Sequence, residues 1–307
     1  MSEIEASIII PTKNGGTYLE KVLQMIYAQA YEHPFEVIVI DSGSTDDTLD
    51  IVNHYPARLV QIRPEDFGHG KTRNLGAELA EGKYLVFLTQ DAVPASDRWL
   101  FNLVGNLKTP EVAGAYGRQI PRGDTNPVEQ FFLNTKYPTY RMVKSAKQGK
   151  IDMNTIFFSS VNSAIKKEVF QQYPFSENLI MSEDQEWAKR VLLAGYEIVY
   201  DPEAAVYHSH TYSLKTVFRR YFDSGASLGQ FASGEYSSIA FAGSGLNHVR
   251  DELKFLVGNR HLKWVPYAVL YDLSKFVGIS LGKKHKYFPA AAKRRLSMHS
   301  DYWSDGD

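Results

Sequence analysis

Short runs of β-prone apolar residues alternate with helical patterns over the N-terminal part of the chain. The run Tyr84–Leu88 has no polar alternation, which is typical of a strand buried on both faces of a parallel sheet. Between such runs, apolar residues recur at helical spacing, as at Leu19, Val22 and Ile26. Strands and helices that alternate at this pace indicate right-handed crossovers and a doubly wound, mostly parallel sheet.

The other elements are predicted from the same two patterns. The predicted strands are Ala6–Ile10, Phe35–Ile40, Leu59–Ile62, Tyr84–Leu88, Val112–Ile120, Ser159–Ile165, Tyr196–Tyr200 and Ala204–His208. The later predicted helices are Asn74–Glu81, Trp99–Leu107, Lys167–Gln172, Asp184–Leu193, Lys215–Gly229, Leu246–Leu256 and Leu262–Leu281. The composition changes near Tyr212, which predicts a catalytic domain over 1–212 and a helical C-terminal region over 213–307. The aromatic and polar stretch Pro121–Ile156 predicts no element.

Composition limits the classes of protein that the chain can belong to. It has 307 residues, of which 44% are hydrophobic and 22% charged, as is usual for a soluble globular protein. A net charge of −1 argues against a nucleic-acid partner, and the absence of cysteine excludes disulfides, thiolate metal sites and a cysteine nucleophile. The N-terminus does not resemble a signal peptide, and no apolar run is long enough to span a membrane. We therefore expect a cytoplasmic protein.

Two carboxylates follow predicted strands directly. Asp41 comes after Phe35–Ile40, and Asp91 comes shortly after Tyr84–Leu88. Open α/β sheets bind ligands at the carboxyl ends of their strands, so this pair predicts a site for a nucleotide and a divalent metal. Mg²⁺ and Mn²⁺ need only one or two protein carboxylates because phosphate and water complete their coordination. For Asp41 alone, a helix-capping aspartate in the loop between a strand and a helix is the favoured alternative.

Further candidates lie at helix starts and after the last predicted strand. Glu183 and Asp184 begin a helix, where acids stabilise the first turn but could also include a general base. Arg73 follows a glycine-bearing loop and is either a surface cation or a contact for phosphate or base. His208 and His210 would point to opposite faces of a continuing strand, so at most one can join Asp91 as a metal ligand.

Together these motifs resemble those of the inverting GT-A glycosyltransferases of family 2, over Ser7 to Ser213. The segments that carry the resemblance are ASIIIPTKNGG, VIVIDSGSTDDT, FGHGKTRNLGA, YLVFLTQDAVP, SEDQEWAKRVLLAGY and VYHSHTYS. The TQDAVP variant is similar to that of bacterial rhamnosyltransferases. The resemblance implies a GT-A fold, a nucleotide-sugar donor such as dTDP-L-rhamnose, and a glycan or lipid-linked glycan acceptor of the bacterial cell surface.

The resemblance also implies roles for individual residues. It assigns the nucleotide sugar to Pro11, Thr12, Asp41, Arg73, Gln90 and Asp91. Asp91 matches the last carboxylate of the family's Asp-x-Asp metal motif, whereas Thr89 replaces the first, and His208 corresponds to a metal-binding histidine with His210 as the fallback. Asp184 matches the catalytic base, with Glu183 as the second candidate. Asn162 and Trp187 are expected near the acceptor, although a loop role and a core position are their respective alternatives.

Two questions stay open at the level of sequence. The C-terminal helix Leu262–Leu281 is followed by basic clusters, which is typical of contact with the inner face of a membrane, whereas packing on the catalytic domain or on a second copy of the chain is the alternative. The competing functions are a sugar-1-phosphate nucleotidyltransferase and a non-catalytic sugar-nucleotide-binding protein. The first would need a basic, glycine-rich phosphate loop, of which Thr12–Gly16 is only a faint version, and the second would not need Asp91 and Asp184.

Overall fold

The computed structural model describes residues 3–149, 151–232 and 238–303. Its strands are β1 Ala6–Thr12, β2 Phe35–Asp41, β3 Arg58–Gln61, β4 Tyr84–Leu88, β5 Val93–Pro94, β6 Val112–Ile120, β7 Met142–Ser145, β8 Asn162–Lys166 and β9 Glu197–Tyr207. Its α-helices are α1 Gly16–Tyr27, α2 Thr48–Asn53, α3 His69–Leu79, α4 Trp99–Gly105, α5 Pro127–Lys136, α6 Lys167–Gln172, α7 Glu183–Leu193, α8 Leu214–Phe231, α9 Ser238–Gly258, α10 Val265–Gly282 and α11 Ala290–Leu296.

The strands form one mixed sheet in the order β3-β2-β1-β4-β8-β6-β9-β5, with β7 paired to β9. Strands β3, β2, β1 and β4 are parallel, and so are β6 and β9, whereas β8 runs antiparallel to both of its neighbours. The central strands are buried on both faces, as in Tyr84–Leu88, because helices cover the sheet. This architecture agrees with the predicted sheet and its flanking helices.

The sheet departs from the prediction at its later strands. The two strands predicted at Tyr196–Tyr200 and Ala204–His208 are one strand, β9, whose register with β6 shifts beyond Asp201. Pro202 lies at this shift. Proline cannot donate a ladder hydrogen bond, and it is tolerated here because the ladder is interrupted at the shift. The stretch Pro121–Ile156, for which no element was predicted, contains helix α5 and strand β7.

The chain divides into two compact units. The first comprises Met1–Arg122, Lys136–Glu177 and Glu183–His208, and it contains the sheet. The second comprises Gly123–Thr135, Asn178–Ser182 and Ser209–Asp307, and it contains helices α8 to α11. The predicted division of function between 1–212 and 213–307 stays a prediction.

Within the second unit, helices α8 and α10 cross at glycines. A Cβ atom on Gly282 would lie 2.0 Å from the carbonyl oxygen of Phe222, so only glycine allows the backbones to approach this closely. Phe222 is fully buried beside Trp303, which ties the C-terminal residues of the described chain to α8. Among the described residues, no helix is both long enough and apolar enough to cross a membrane.

Candidate active site

The carboxyl ends of the parallel strands meet at one edge of the sheet. Thr12 at the end of β1 lies opposite Asp41 at the end of β2. Because β8 is antiparallel, its first residue, Asn162, pairs with Leu88 at the end of β4. Strands β6 and β9 also end side by side at this edge. The residues that follow β1, β2, β4, β6 and β9 are therefore neighbours of those that precede β8.

Gln90 connects the end of β4 to the loop after β1. Its Oε1 accepts hydrogen bonds from Thr12 Oγ1 at 2.6 Å and from the Lys13 backbone N–H at 2.8 Å. Its Nε2 donates to the Lys13 carbonyl at 3.1 Å. Thr12 is buried and Pro11 is half-buried, so this loop has a fixed conformation beside Asp91.

Asp41 is built into the turn that follows β2. It is fully buried, and its Oδ2 accepts hydrogen bonds from the backbone N–H groups of Gly43 and Ser44 at 3.0 Å each. Its Oδ1 accepts from the Ser44 hydroxyl. These hydrogen bonds lie within the turn and not at the start of α2, whose N-cap is Asp47, so Asp41 does not cap that helix. The nucleotide-reading role of Asp41 stays a prediction.

Asp91 and His208 face each other at this edge. Asp91 Oδ1 lies 3.5 Å from His208 Nε2, and the Asp91 side chain is 19% exposed. On the other side of the ring, His208 Nδ1 lies 2.8 Å from Gln119 Oε1. The Gln119 amide nitrogen donates to Tyr137 and Ser159, which leaves its oxygen to accept the Nδ1 proton. In the neutral ring the Nε2 lone pair therefore points towards Asp91.

This pair fits a divalent cation. A carboxylate oxygen and an imidazole nitrogen are accepted ligands of Mn²⁺, and a hydrogen bond to the distal ring nitrogen is the usual means of orienting such a histidine. Arg122 Nη2 lies 3.7 Å from Asp91 Oδ2, donates to the Asp91 carbonyl, and its guanidinium stacks over Tyr18 at 4.1 Å. This cation balances the carboxylate and lies where a ligand phosphate would also be attracted. His210, the fallback ligand, stacks on the ring of Tyr212.

Asp184 is held at the same edge through Ser160. Its Oδ2 accepts hydrogen bonds from the Ser160 backbone N–H at 2.9 Å and from the Ser160 hydroxyl at 3.2 Å. The next residue, Val161, accepts a backbone hydrogen bond from Thr89 at 3.1 Å, and Thr89 precedes Asp91 by two positions. The segment Ser160–Val161 therefore contacts both Asp184, in the first turn of α7, and Thr89, which precedes Asp91. Asp184 as a whole is half-buried, and the hydrogen bonds from Ser160 orient its carboxylate.

Arg73 pairs with Glu183 inside the first unit. Arg73 Nη1 lies 2.9 Å from Glu183 Oε1, and the side chains are 6% and 5% exposed. Burial raises the pKa of Glu183 to about 7, the guanidinium of Arg73 opposes the shift, and the charge of Asp184 adds to it. Burial also raises the pKa of Asp184, against the hydrogen bonds from Ser160 that favour its ionised form. The positive charge of Arg73 therefore favours the ionised forms of Glu183 and Asp184, a role that the sequence did not predict.

Both residues expected at the acceptor lie in the core, and their role at the acceptor stays a prediction. Asn162 is fully buried, accepts a hydrogen bond from Trp99 Nε1 at 2.8 Å and donates to the Ala204 carbonyl at 2.8 Å. Trp187 is fully buried against Phe158, with ring centroids 4.9 Å apart. The hydrogen bonds of Asn162 are thus made within the fold, whereas the buried Nε1 of Trp187 has no hydrogen-bond partner in the part of the chain that the structure describes.

Three residues at this edge were missed by the sequence analysis: Gln119, Arg122 and Ser160. Gln119 and Arg122 lie at and just beyond the end of the predicted strand Val112–Ile120, so the sheet-edge rule that selected Asp41 and Asp91 would have selected them too. Ser160 lies at the start of an antiparallel strand, and sequence alone gave no direction for that strand.

Comparison with known proteins agrees with the family that the sequence motifs resemble. The model of the family described as Glycosyl transferase family 2 matches residues 7–174. The O-antigen chain rhamnosyltransferase WbaN of Salmonella anatum is 34% identical over 97% of this chain and 96% of its own length. The O-antigen chain rhamnosyltransferase RfbN of Salmonella typhimurium is 35% identical over 98% of this chain and 97% of its own.

Among solved structures, the mannosyltransferase PcManGT of Pyrobaculum calidifontis in complex with GDP-Man and Mn²⁺ has a TM-score of 0.60. It is 18% identical and covers 92% of this chain and 87% of its own. At this identity the likeness concerns the fold alone, and it confirms the predicted GT-A class.

Proposed function

The chain belongs to glycosyl transferase family 2, and on that premise we propose that it transfers L-rhamnose from dTDP-L-rhamnose to a hydroxyl group of a cell-surface glycan. The names of the two Salmonella relatives, which are similar over nearly their whole length, support the sugar and the type of acceptor. The TQDAVP segment supports the same assignment.

In the proposed reaction, Asp184 is the general base. Its carboxylate accepts the proton of the acceptor hydroxyl, whose oxygen forms a bond to the anomeric carbon of the donor. The bond from that carbon to the diphosphate oxygen breaks at the same time, and the electron pair leaves with the nucleoside diphosphate. One displacement from the face opposite the leaving group inverts the anomeric centre. The hydrogen bonds from Ser160 support this role because they fix the orientation of the carboxylate.

Asp91 and His208 would hold Mg²⁺ or Mn²⁺ in this proposal. When bound, the ion supplies a positive charge that stabilises the leaving diphosphate. Gln119 keeps His208 in the tautomer that a metal ligand needs, and Arg122 adds a fixed positive charge beside Asp91. The observation that carries the proposal is the common sheet edge at which Asp91, His208 and Asp184 lie.

The nucleotide is proposed to lie along the loops after β1 and β2. Pro11, Thr12 and Gln90 border this part of the edge, and the hydrogen bonds that Gln90 accepts from Thr12 and Lys13 give it a fixed shape. Asp41 would act through the turn that its carboxylate organises. Arg73 would act through its ion pair with Glu183 and not by direct contact with the nucleotide.

A lipid-linked acceptor is supported by the surface of the second unit. Helix α10 exposes a continuous apolar stripe, formed by Val269, Leu270, Leu273 and Phe276, whose exposed fractions run from 48% to 57%. Lys283, Lys284 and Lys286 follow the helix, and this combination suits the surface of an anionic membrane. A second basic cluster, Lys293, Arg294 and Arg295, contributes less, because Lys293 is buried over the ring of Trp303.

A donor panel tests the proposal. The purified chain is incubated with Mn²⁺, a membrane extract that contains lipid-linked glycans, and one labelled sugar nucleotide at a time: dTDP-L-rhamnose, a UDP-sugar or a GDP-sugar. We expect label in the glycan fraction only from dTDP-L-rhamnose, abolished in Asp91→Asn and kept in Asp97→Asn, a matched exposed aspartate. Transfer from the UDP-sugar or GDP-sugar alone would contradict the donor assignment, and no transfer from any donor would contradict the function.

A further inference from the structure

The second unit contains a buried group of potential metal ligands that the proposed reaction does not use. His248 and Glu252 lie one helical turn apart on α9, and Asp272 lies on α10. One ligand atom from each of the three side chains lies within 4.8 Å of the other two. The group therefore contains side chains from two helices, α9 and α10.

Glu252 is the least solvated member of this group. Its side chain is 0% exposed, and neither carboxylate oxygen has a hydrogen-bond donor within reach. Oδ2 of Asp272 is likewise buried without a donor. Two carboxylates that face each other cannot satisfy one another unless they share a proton, and a buried carboxylate with no partner costs several kcal/mol.

The surroundings compensate only part of this charge. Lys275 Nζ lies 3.3 Å from Asp272 Oδ1 and 4.2 Å from the centre of the Tyr271 ring. The ring of Phe131 covers His248 at 5.3 Å. One ammonium therefore stands against two carboxylates in a largely apolar setting. Burial and, to a smaller extent, the charge of Asp272 together raise the pKa of Glu252 to about 8.

We propose that His248, Glu252 and Asp272 bind a divalent transition-metal ion, with Zn²⁺ as the favoured ion, that fastens α9 to α10. One imidazole nitrogen and two carboxylate oxygens form a ligand set that Zn²⁺ accepts, with water in the fourth position. Tetrahedral Zn²⁺ with bonds of about 2.1 Å separates its ligand atoms by about 3.4 Å, so small rotamer changes would complete the site. A divalent charge would balance the two carboxylates together with Lys275.

Metal stoichiometry tests this site without any nucleotide or sugar, so its result does not depend on the proposed function. The full chain is stripped with EDTA and dialysed against micromolar Zn²⁺, and bound metal is measured by mass spectrometry. All measurements are made on the Asp91→Asn chain, which lacks one of the metal ligands proposed for the first unit. For this chain we expect about one Zn²⁺ per chain, none after adding Glu252→Gln or His248→Gln, and no loss after adding Asp251→Asn, an exposed acid next to Glu252.

Thermal unfolding supplies the second measurement. We expect Zn²⁺ to raise the melting temperature of the Asp91→Asn chain but not that of its Glu252→Gln derivative. In EDTA, we expect the Glu252→Gln derivative to melt at a higher temperature than the Asp91→Asn chain, because the substitution removes a buried carboxylate. If the Asp91→Asn chain bound no Zn²⁺, or if Glu252→Gln left its Zn²⁺ content unchanged, the proposal would be overturned. A shared proton between Glu252 and Asp272 would then explain the cluster.

Discussion

Arg73→Met removes the cation that neutralises Glu183 in the first unit. The guanidinium nitrogen lies 2.9 Å from the Glu183 carboxylate, and both side chains are about 95% buried, at 6% and 5% exposure. Methionine keeps most of the aliphatic volume, so the substitution tests the charge more than the packing. Arg73 Nη1 also donates to the His69 carbonyl at 3.1 Å, and that hydrogen bond is lost as well.

The expected cost follows from burial. Breaking one side of a buried ion pair leaves an uncompensated charge, which typically lowers the free energy of unfolding by about 3–5 kcal/mol. The cost also depends on pH. The pKa of Glu183 in the folded chain is about 7, raised above the ordinary value of 4.5, so its protonated form is favoured by folding and stability is lost as pH rises through 7. Without Arg73 this pKa rises further, so the loss continues above pH 7.

The assay is urea unfolding of wild type and Arg73→Met between pH 6 and pH 9, followed by circular dichroism. We expect the deficit of the variant to be several kcal/mol at pH 9 and to shrink at pH 6, where Glu183 is protonated in both chains. The double variant Arg73→Met/Glu183→Gln should recover part of the loss, because it removes both members of the pair.

Arg63→Met is the matched control, because Arg63 pairs with Asp66 on the surface at 71% exposure. We expect no measurable loss from this variant, since exposed ion pairs contribute little. An Arg73→Met deficit that equals that of Arg63→Met, or one that does not change between pH 6 and pH 9, would refute the reasoning.

Three further variants probe other parts of the structure. Gln119→Leu removes the acceptor of the His208 Nδ1 proton and should weaken Mn²⁺ binding by about 10–100-fold in an electron paramagnetic resonance titration, and unchanged affinity would remove Gln119 from this role. Gly114→Ala would put a Cβ 2.7 Å from Trp187 Cη2 and should cost about 1–3 kcal/mol in urea unfolding, so neutrality would contradict the tight packing. Burial raises the pKa of Asp223 to about 6 from 3.8, so Asp223→Asn should stabilise the chain at pH 8 more than at pH 4, and an equal effect at both values would be inconsistent with that shift.

The sheet was predictable because its signals are local. Apolar runs such as Tyr84–Leu88 end at turn residues, and the helical spacing of Leu19, Val22 and Ile26 marks the face of α1 that is fully buried. The antiparallel direction of β8 was not predictable, because the direction of a strand depends on distant pairing partners and not on its own sequence. The helix α5 was missed because its residues mix aromatic and polar types without a clear period.

The candidate site likewise contains some residues that could be predicted from the sequence and others that could not. Asp91 and Asp184 were selected by their positions after a strand and at a helix start, and the segment Ser160–Val161 contacts Asp184 and the residue Thr89 that precedes Asp91. The roles of Arg73 and Ser160 were not predictable, because each depends on a contact between residues far apart in sequence. The position of Gln119 at a strand end was predictable, but its contact with His208 was not. The acceptor roles of Asn162 and Trp187 stay predictions, and both side chains are fully buried.

The variant Asp184→Asn tests the central claim most directly, because it removes the proposed base and keeps its shape. Single-turnover transfer from dTDP-L-rhamnose is compared with dTDP binding in the presence of Mn²⁺, with Glu186→Gln on the same helix as the control. We predict that transfer falls by about 10²–10⁴-fold in Asp184→Asn, while the dTDP dissociation constant stays within about threefold of wild type and Glu186→Gln stays active. Transfer by Asp184→Asn at the wild-type rate would contradict the account.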